Sequence, residues 1–86
     1  MNMKIVFTKH AQDKFVVLRR HGVFVTKSQV IRAINEPGLV DYTRLPLLIA
    51  QHSFDSRRVL RVVYRIEQNV ILVVTFYPGR KSQYER

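Results

Sequence analysis

Cysteine is absent from this chain of 86 residues, and acidic residues are scarce, with three aspartates and three glutamates. The first absence excludes disulfides and thiolate chemistry. The second leaves little with which to hold a metal ion. The six acids do not cluster, and no pair among His10, His21 and His52 has a ligand spacing, so no metal site and no cofactor are expected. Long hydrophobic runs are missing too. The longest, Val70 to Val74, is far short of a membrane span. The opening stretch MNMKIVFTKH carries no signal-peptide core, so the expected location is the cytoplasm, with no membrane partner. Repeats and low-complexity linkers are also lacking, and residues 1–86 are expected to form one domain.

What the chain has in abundance is positive charge. Fifteen Lys and Arg face the six acids, for a formal net charge of +9, and ten of the fifteen are arginine. Arginine pairs bidentately with phosphate and carboxylate. On so small a domain this balance implies a polyanionic partner, nucleic acid or an acidic protein, with a merely solvated basic surface as the plain alternative. A hydrophobic content of 47% is enough for a packed core.

Ile5 to Phe7 reads as a short strand or an extended lead-in. Thr8 is an N-cap for a helix over 9–21, with Ala11, Phe15 and Leu18 at helical spacing and Gly22 just past its end. Thr26 and Gln29 form a capping box for a second helix over 26–36, stapled by Val25 and Val30 and stopped by Pro37-Gly38. Four strands follow: Leu39–Tyr42, Leu47–Phe54, Val59–Ile66 and Val70–Tyr77, with Pro78-Gly79 ending the sheet and a basic tail beyond. Helices first and strands after them predict an α+β domain, two N-terminal helices packed on one face of a four-stranded, mainly antiparallel sheet.

The last hairpin, VLRVVYRIEQNVILVVTFYPGR, decides where chemistry can sit. A three-residue loop Glu67-Gln68-Asn69 places Leu60, Val62, Tyr64, Leu72, Val74 and Phe76 on one apolar face. The opposite face then pairs Arg61 with Thr75, Val59 with Tyr77 and Arg65 with Ile71. A two-residue loop is the commoner hairpin class but would mix the faces, so burial favours the longer loop. Arginines on a sheet face are often only solvated. Here Val63, Val73 and Ile71 surround them, and Arg61, Thr75 and Tyr77 together offer a guanidinium fork, a hydroxyl and a phenol to one phosphate. His10 opens the first helix, with Lys14 one turn along the same flank.

The segments FTKHAQDKF, LRRHGVFVTKSQVIRAINEPG and VLRVVYRIEQNVILVVTFYPG resemble a widespread microbial domain family of unknown function related to RelE-like toxins, within the barnase–EndoU–colicin–RelE class of metal-independent ribonucleases. The resemblance spans nearly the whole chain through short, mostly hydrophobic motifs. It implies the RelE-like fold just outlined and carries over His10, Arg61, Thr75 and Tyr77 as catalytic positions. Lys14, and Arg20-His21 before Gly22, depart from the family pattern.

The chemistry implied by that resemblance is attack of a ribose 2′-OH on the adjacent phosphate. A base takes the hydroxyl proton, cations hold the phosphate, and an acid protonates the leaving 5′-oxygen. His10 fits the acid–base role and Arg61 the clamp; Thr75 positions the phosphate, and Tyr77 stacks a base or donates a proton. Lys14, Arg65, Arg80 and Lys81 are the expected RNA-binding residues. The implied partners are RNA, including ribosome-associated mRNA, and an acidic antitoxin protein. The alternative is a non-catalytic module that binds nucleic acid or an acidic chain through charge alone.

Overall fold

The computed structural model describes residues 3–85. In chain order the elements are β1 (Lys4–Phe7), α1 (Lys9–Arg20), α2 (Lys27–Asn35), β2 (Leu39–Asp41), β3 (Leu48–Ser53), β4 (Arg58–Glu67), β5 (Val70–Arg80) and α3 (Lys81–Tyr84). The helices begin and end where the capping chemistry directs. Thr8 Oγ1 accepts from Ala11 N at 3.1 Å. Gly22, at φ 77°, closes α1, with Val23 N donating to Leu18 O and Gly22 N to Arg19 O. Thr26 and Gln29 exchange side-chain and backbone bonds at the start of α2, and the Val25 and Val30 staple is buried.

The fold is α+β, but the sheet is not four-stranded and antiparallel. It has five strands in the order β1-β5-β4-β3-β2, and β1 runs parallel to β5, with Phe7 opposite Val73. Adjacent segments pair through short turns that sequence pattern can find; β1 joins a strand more than sixty residues away, which no local signal announces.

The β4–β5 register also differs from the expected one. The loop is the two-residue Gln68-Asn69, both with positive φ (48° and 67°), so Ile66 faces Ile71 and Tyr64 faces Val73. A β-bulge then shifts the ladder, and beyond it Val63 faces Thr75, Val62 faces Phe76 and Arg61 faces Tyr77. The extra residue, Val74, reconciles the favoured turn with burial. Ile71 and Val73 before the bulge and Phe76 after it all join one core, together with Leu60, Val62 and Tyr64. Leu72 and Val74, expected on that face, are replaced there by Ile71 and Val73. The core is completed by Ala11, Val25, Val30, Ala33 and Ile34 from α1, α2 and the turn between them.

β5 does not stop at Pro78-Gly79 but continues to Arg80, and the tail forms the single turn α3. Since β1 ends opposite Val73, the rest of β5 has no strand on its outer side among the described residues, and proline is tolerated on such an edge.

Candidate functional site

The sheet face turned away from α1 and α2 carries the row Leu39, Gln51, Arg61 and Tyr77, one residue from each of four strands. Arg61 is its centre. Nη1 donates to Gln51 Oε1 at 2.6 Å and Nε donates to Tyr77 Oη at 3.1 Å. Nη2 lies 3.6 Å from Asp41 Oδ2. The ring of Tyr84, from α3, covers the guanidinium with its centroid 4.1 Å from Cζ. Arg61 is 6% exposed and Gln51 4%. A charge this deeply buried is stable only when its donors are engaged, and here each face of the fork has a partner.

Asp41 is held by Thr43, whose N–H and hydroxyl donate to Oδ1 at 2.8 and 2.6 Å. Those bonds, the hydroxyl's first, keep its carboxyl below the ordinary value, with the positive charge of Arg61 adding to them.

Of the expected catalytic residues, the structure brings Arg61 and Tyr77 into contact and leaves two apart. Thr75 is half-buried on the same face but faces Val63, not Arg61. His10 is exposed on α1, whose Ala11, Phe15 and Leu18 pack on the opposite face. The start of α1 is tied to the β5 bulge, with Thr8 N donating to Val73 O and Thr8 Oγ1 to Val74 O, both at 3.1 Å. His10 is therefore two residues along the chain from the Thr8 anchor at the bulge, and it lies outside the Arg61 cluster. His21 and His52 serve helix ends, their Nδ1 atoms donating to Val17 O and Glu36 O at 2.9 and 3.0 Å.

The expected RNA-binding residues separate as well. Lys14 is half-buried on α1. Arg65 Nε sits 2.9 Å from Glu67 Oε1 in an ion pair that lacks hydrogen-bond alignment. Arg80 and Lys81 line a groove of about 780 Å³ with Asp55, Ser56, Arg57, Arg58 and Ser82. Lys81 N donates to Arg57 O at 2.8 Å, which locks the β3–β4 turn to the start of α3.

Sequence reasoning missed Asp41, Gln51, Arg57, Arg58 and Tyr84. The pair Arg57-Arg58 was visible as a basic turn. Asp41 and Gln51 acquire meaning only from the strand register, and Tyr84 only from the return of α3 over the sheet. Among the described residues no group of three His, Asp or Glu is placed to hold a metal ion, and no helix is long and apolar enough to cross a membrane.

Compared with protein-family models, curated proteins and solved structures, the chain shows no match to any of them.

Proposed function

We propose that this domain is an endoribonuclease of the RelE-related toxin class, acting on RNA in the cytoplasm and restrained by an acidic partner protein. The observation that carries the reading is the Arg61–Tyr77 pair, a guanidinium and a phenol 3.1 Å apart on adjacent strands of a rigid sheet. The resemblance of the three sequence segments and the net charge of +9 support it. Arg61 Nε donates to Tyr77 Oη, so the phenol's own hydrogen stays available for another acceptor.

With a phosphodiester over the guanidinium plane that Tyr84 covers, the positive charge of Arg61 stabilises the charge that builds as the 2′-oxygen attacks phosphorus. The P–O5′ bond breaks, a 2′,3′-cyclic phosphate forms, and Tyr77 delivers a proton to the departing 5′-oxygen. The proton leaving the 2′-OH goes to water; His10, outside the Arg61 cluster, is the base expected from the sequence, and the His10→Ala comparison tests it. Access to Arg61 requires Tyr84 to swing away. α3 is suited to that, being four residues long with no buried residue and no side-chain cap.

The test is incubation of RNA with the purified protein in EDTA, with Tyr77→Phe and His10→Ala alongside. Wild type is expected to give fragments ending in cyclic phosphate, and loss of an acid–base group lowers the rate by roughly 10²–10⁴-fold. Equal cleavage by Tyr77→Phe at matched folding removes Tyr77 from the chemistry. A second reading, a binding module without catalysis, is favoured by the separation of His10 from a fully partnered Arg61. Salt-sensitive binding of RNA with no product from wild type would establish that reading and end the first.

A further inference from the structure

We infer that the groove formed by Ser56, Arg57, Arg58, Arg80, Lys81 and Ser82 is a backbone subsite that grips single-stranded RNA by its phosphates, without stacking its bases. The inference rests on the proposal that the chain acts on RNA, and it assigns the grip to a place other than Arg61.

The groove joins two segments distant in sequence. Arg58 and Arg80 stand directly opposite each other on β4 and β5, and Lys81 N is bonded to Arg57 O. Like charges placed across a ladder repel; Asp55 pairs with Arg58, which leaves Arg80 without a carboxylate of its own. Asp55 spends both oxygens inside its own turn. Oδ1 accepts from Arg57 N at 2.9 Å and Arg58 N at 2.7 Å, and Oδ2 accepts from Arg58 Nε at 2.8 Å. The side chains of Arg57, Arg80 and Lys81 have no carboxylate within ion-pair distance among the described residues. Three cations therefore converge on one cavity, with two serine hydroxyls to add hydrogen bonds. The arrangement calls for an anion with more than one charge.

The lining decides which kind of anion. Protein partners dock through buried aromatic or aliphatic anchors, and this groove offers none. Base stacking requires an aromatic ring, and none is among the lining residues. Arginine forks, an ammonium and hydroxyls are the groups that hold phosphates and sugars and set the register of a strand. The volume, about 780 Å³, accommodates part of a strand and not merely one ion. α3 adjoins both places: Lys81 and Ser82 line the groove, while Tyr84 covers Arg61. A strand held in the groove thus lies next to the cover of the proposed reactive site.

The experiment measures binding of a fluorescein-labelled 2′-O-methyl RNA oligonucleotide, which has no free 2′-OH and is not cut, by anisotropy over a range of salt. The double variant Arg57→Ala/Arg80→Ala is compared with Lys4→Ala/Arg20→Ala, which removes the same charge from exposed positions elsewhere. The groove variant is expected to flatten the salt slope by about 0.7 per lost contact, roughly 1.4 in all, while the control keeps the wild-type slope. Equal losses in the two variants would overturn the subsite, leaving only diffuse charge. Displacement of the RNA by polyglutamate as readily as by unlabelled RNA would overturn the choice of RNA over an acidic chain. Groove-dependent binding with no cleavage of ordinary RNA supports the subsite and removes only the nuclease. Cleavage with groove-independent binding removes only the subsite.

Discussion

Gly79→Ala tests whether Tyr84 is the cover of Arg61. Gly79 pairs with Val59, and its open side faces the Tyr84 ring. A methyl group there would stand 2.8 Å from Cδ2 and closer still to Cε2. Carbon atoms settle at about 3.5–4.0 Å, so the ring must retreat by roughly 1 Å or more. The ring now sits 4.1 Å from the Arg61 guanidinium, and cation–π contacts of this kind contribute about 0.5–2 kcal/mol. The start of α3 is held by Lys81 N donating to Arg57 O, but no residue of α3 is buried, so its far end can give. Losing the contact raises the uncovered fraction by roughly 2–30-fold, at about 1.4 kcal/mol per factor of ten. The assay is modification by phenylglyoxal followed by peptide mass spectrometry, with the rate at Arg61 taken relative to exposed Arg32 in the same molecule. Gly79→Ala and Tyr84→Ala should both raise that ratio. An unchanged ratio in both, with the fold intact, would show that the burial of Arg61 comes from the strands alone and that α3 guards nothing.

Two further outcomes follow from the same cluster. Arg61→Ala leaves Gln51 Oε1 buried without its donor, a loss of about 1–3 kcal/mol, so urea denaturation should show a lower midpoint; an unshifted midpoint would mean that the cluster does not hold β3, β4 and β5 together. Asp41 and Asp55 both have folded carboxyls held below the ordinary 3.8, Asp41 first by the Thr43 hydroxyl and Asp55 first by the Arg58 side chain. Their stabilisation is therefore complete above 3.8 and is lost as pH falls through the lowered values. Thermal melts should show Asp41→Asn and Asp55→Asn flattening the decline on the acid side, and an identical acid profile in the variants would count against those pairings.

The helices were legible because their signals are local. Thr8, Gly22, Thr26 and Gln29 each act on backbone groups within a turn of themselves. The sheet was less so. β2 to β5 carry strand patterns, but β1 is four residues long and finds its partner only in three dimensions. α3 was unreadable because its stability comes from packing against Gly79 and Arg61, not from a helical pattern.

The site was half legible, and the bulge at Val74 explains which half. Alternation along β4 places Arg61 opposite the core whatever the partner strand does, so that placement could be read from β4 alone. The residue facing Arg61 depends on the loop and on the bulge together. A three-residue loop without a bulge gives Thr75; a two-residue loop with one extra residue gives Tyr77. Both arrangements keep Phe76 in the core, and burial cannot tell them apart at that end of the hairpin. At the other end it cannot either, because residues 70–74 are all apolar and Leu72 with Val74 would fill the face as well as the observed Ile71 and Val73. The bulge carbonyl also accepts the Thr8 hydroxyl that starts α1, so one inserted residue sets the core face, the seat of the first helix and the partner of Arg61. That partner is a phenol with a hydrogen to give, in place of the threonine hydroxyl the pattern favoured, and the proposed chemistry shifts with it from holding a phosphate to protonating a leaving oxygen.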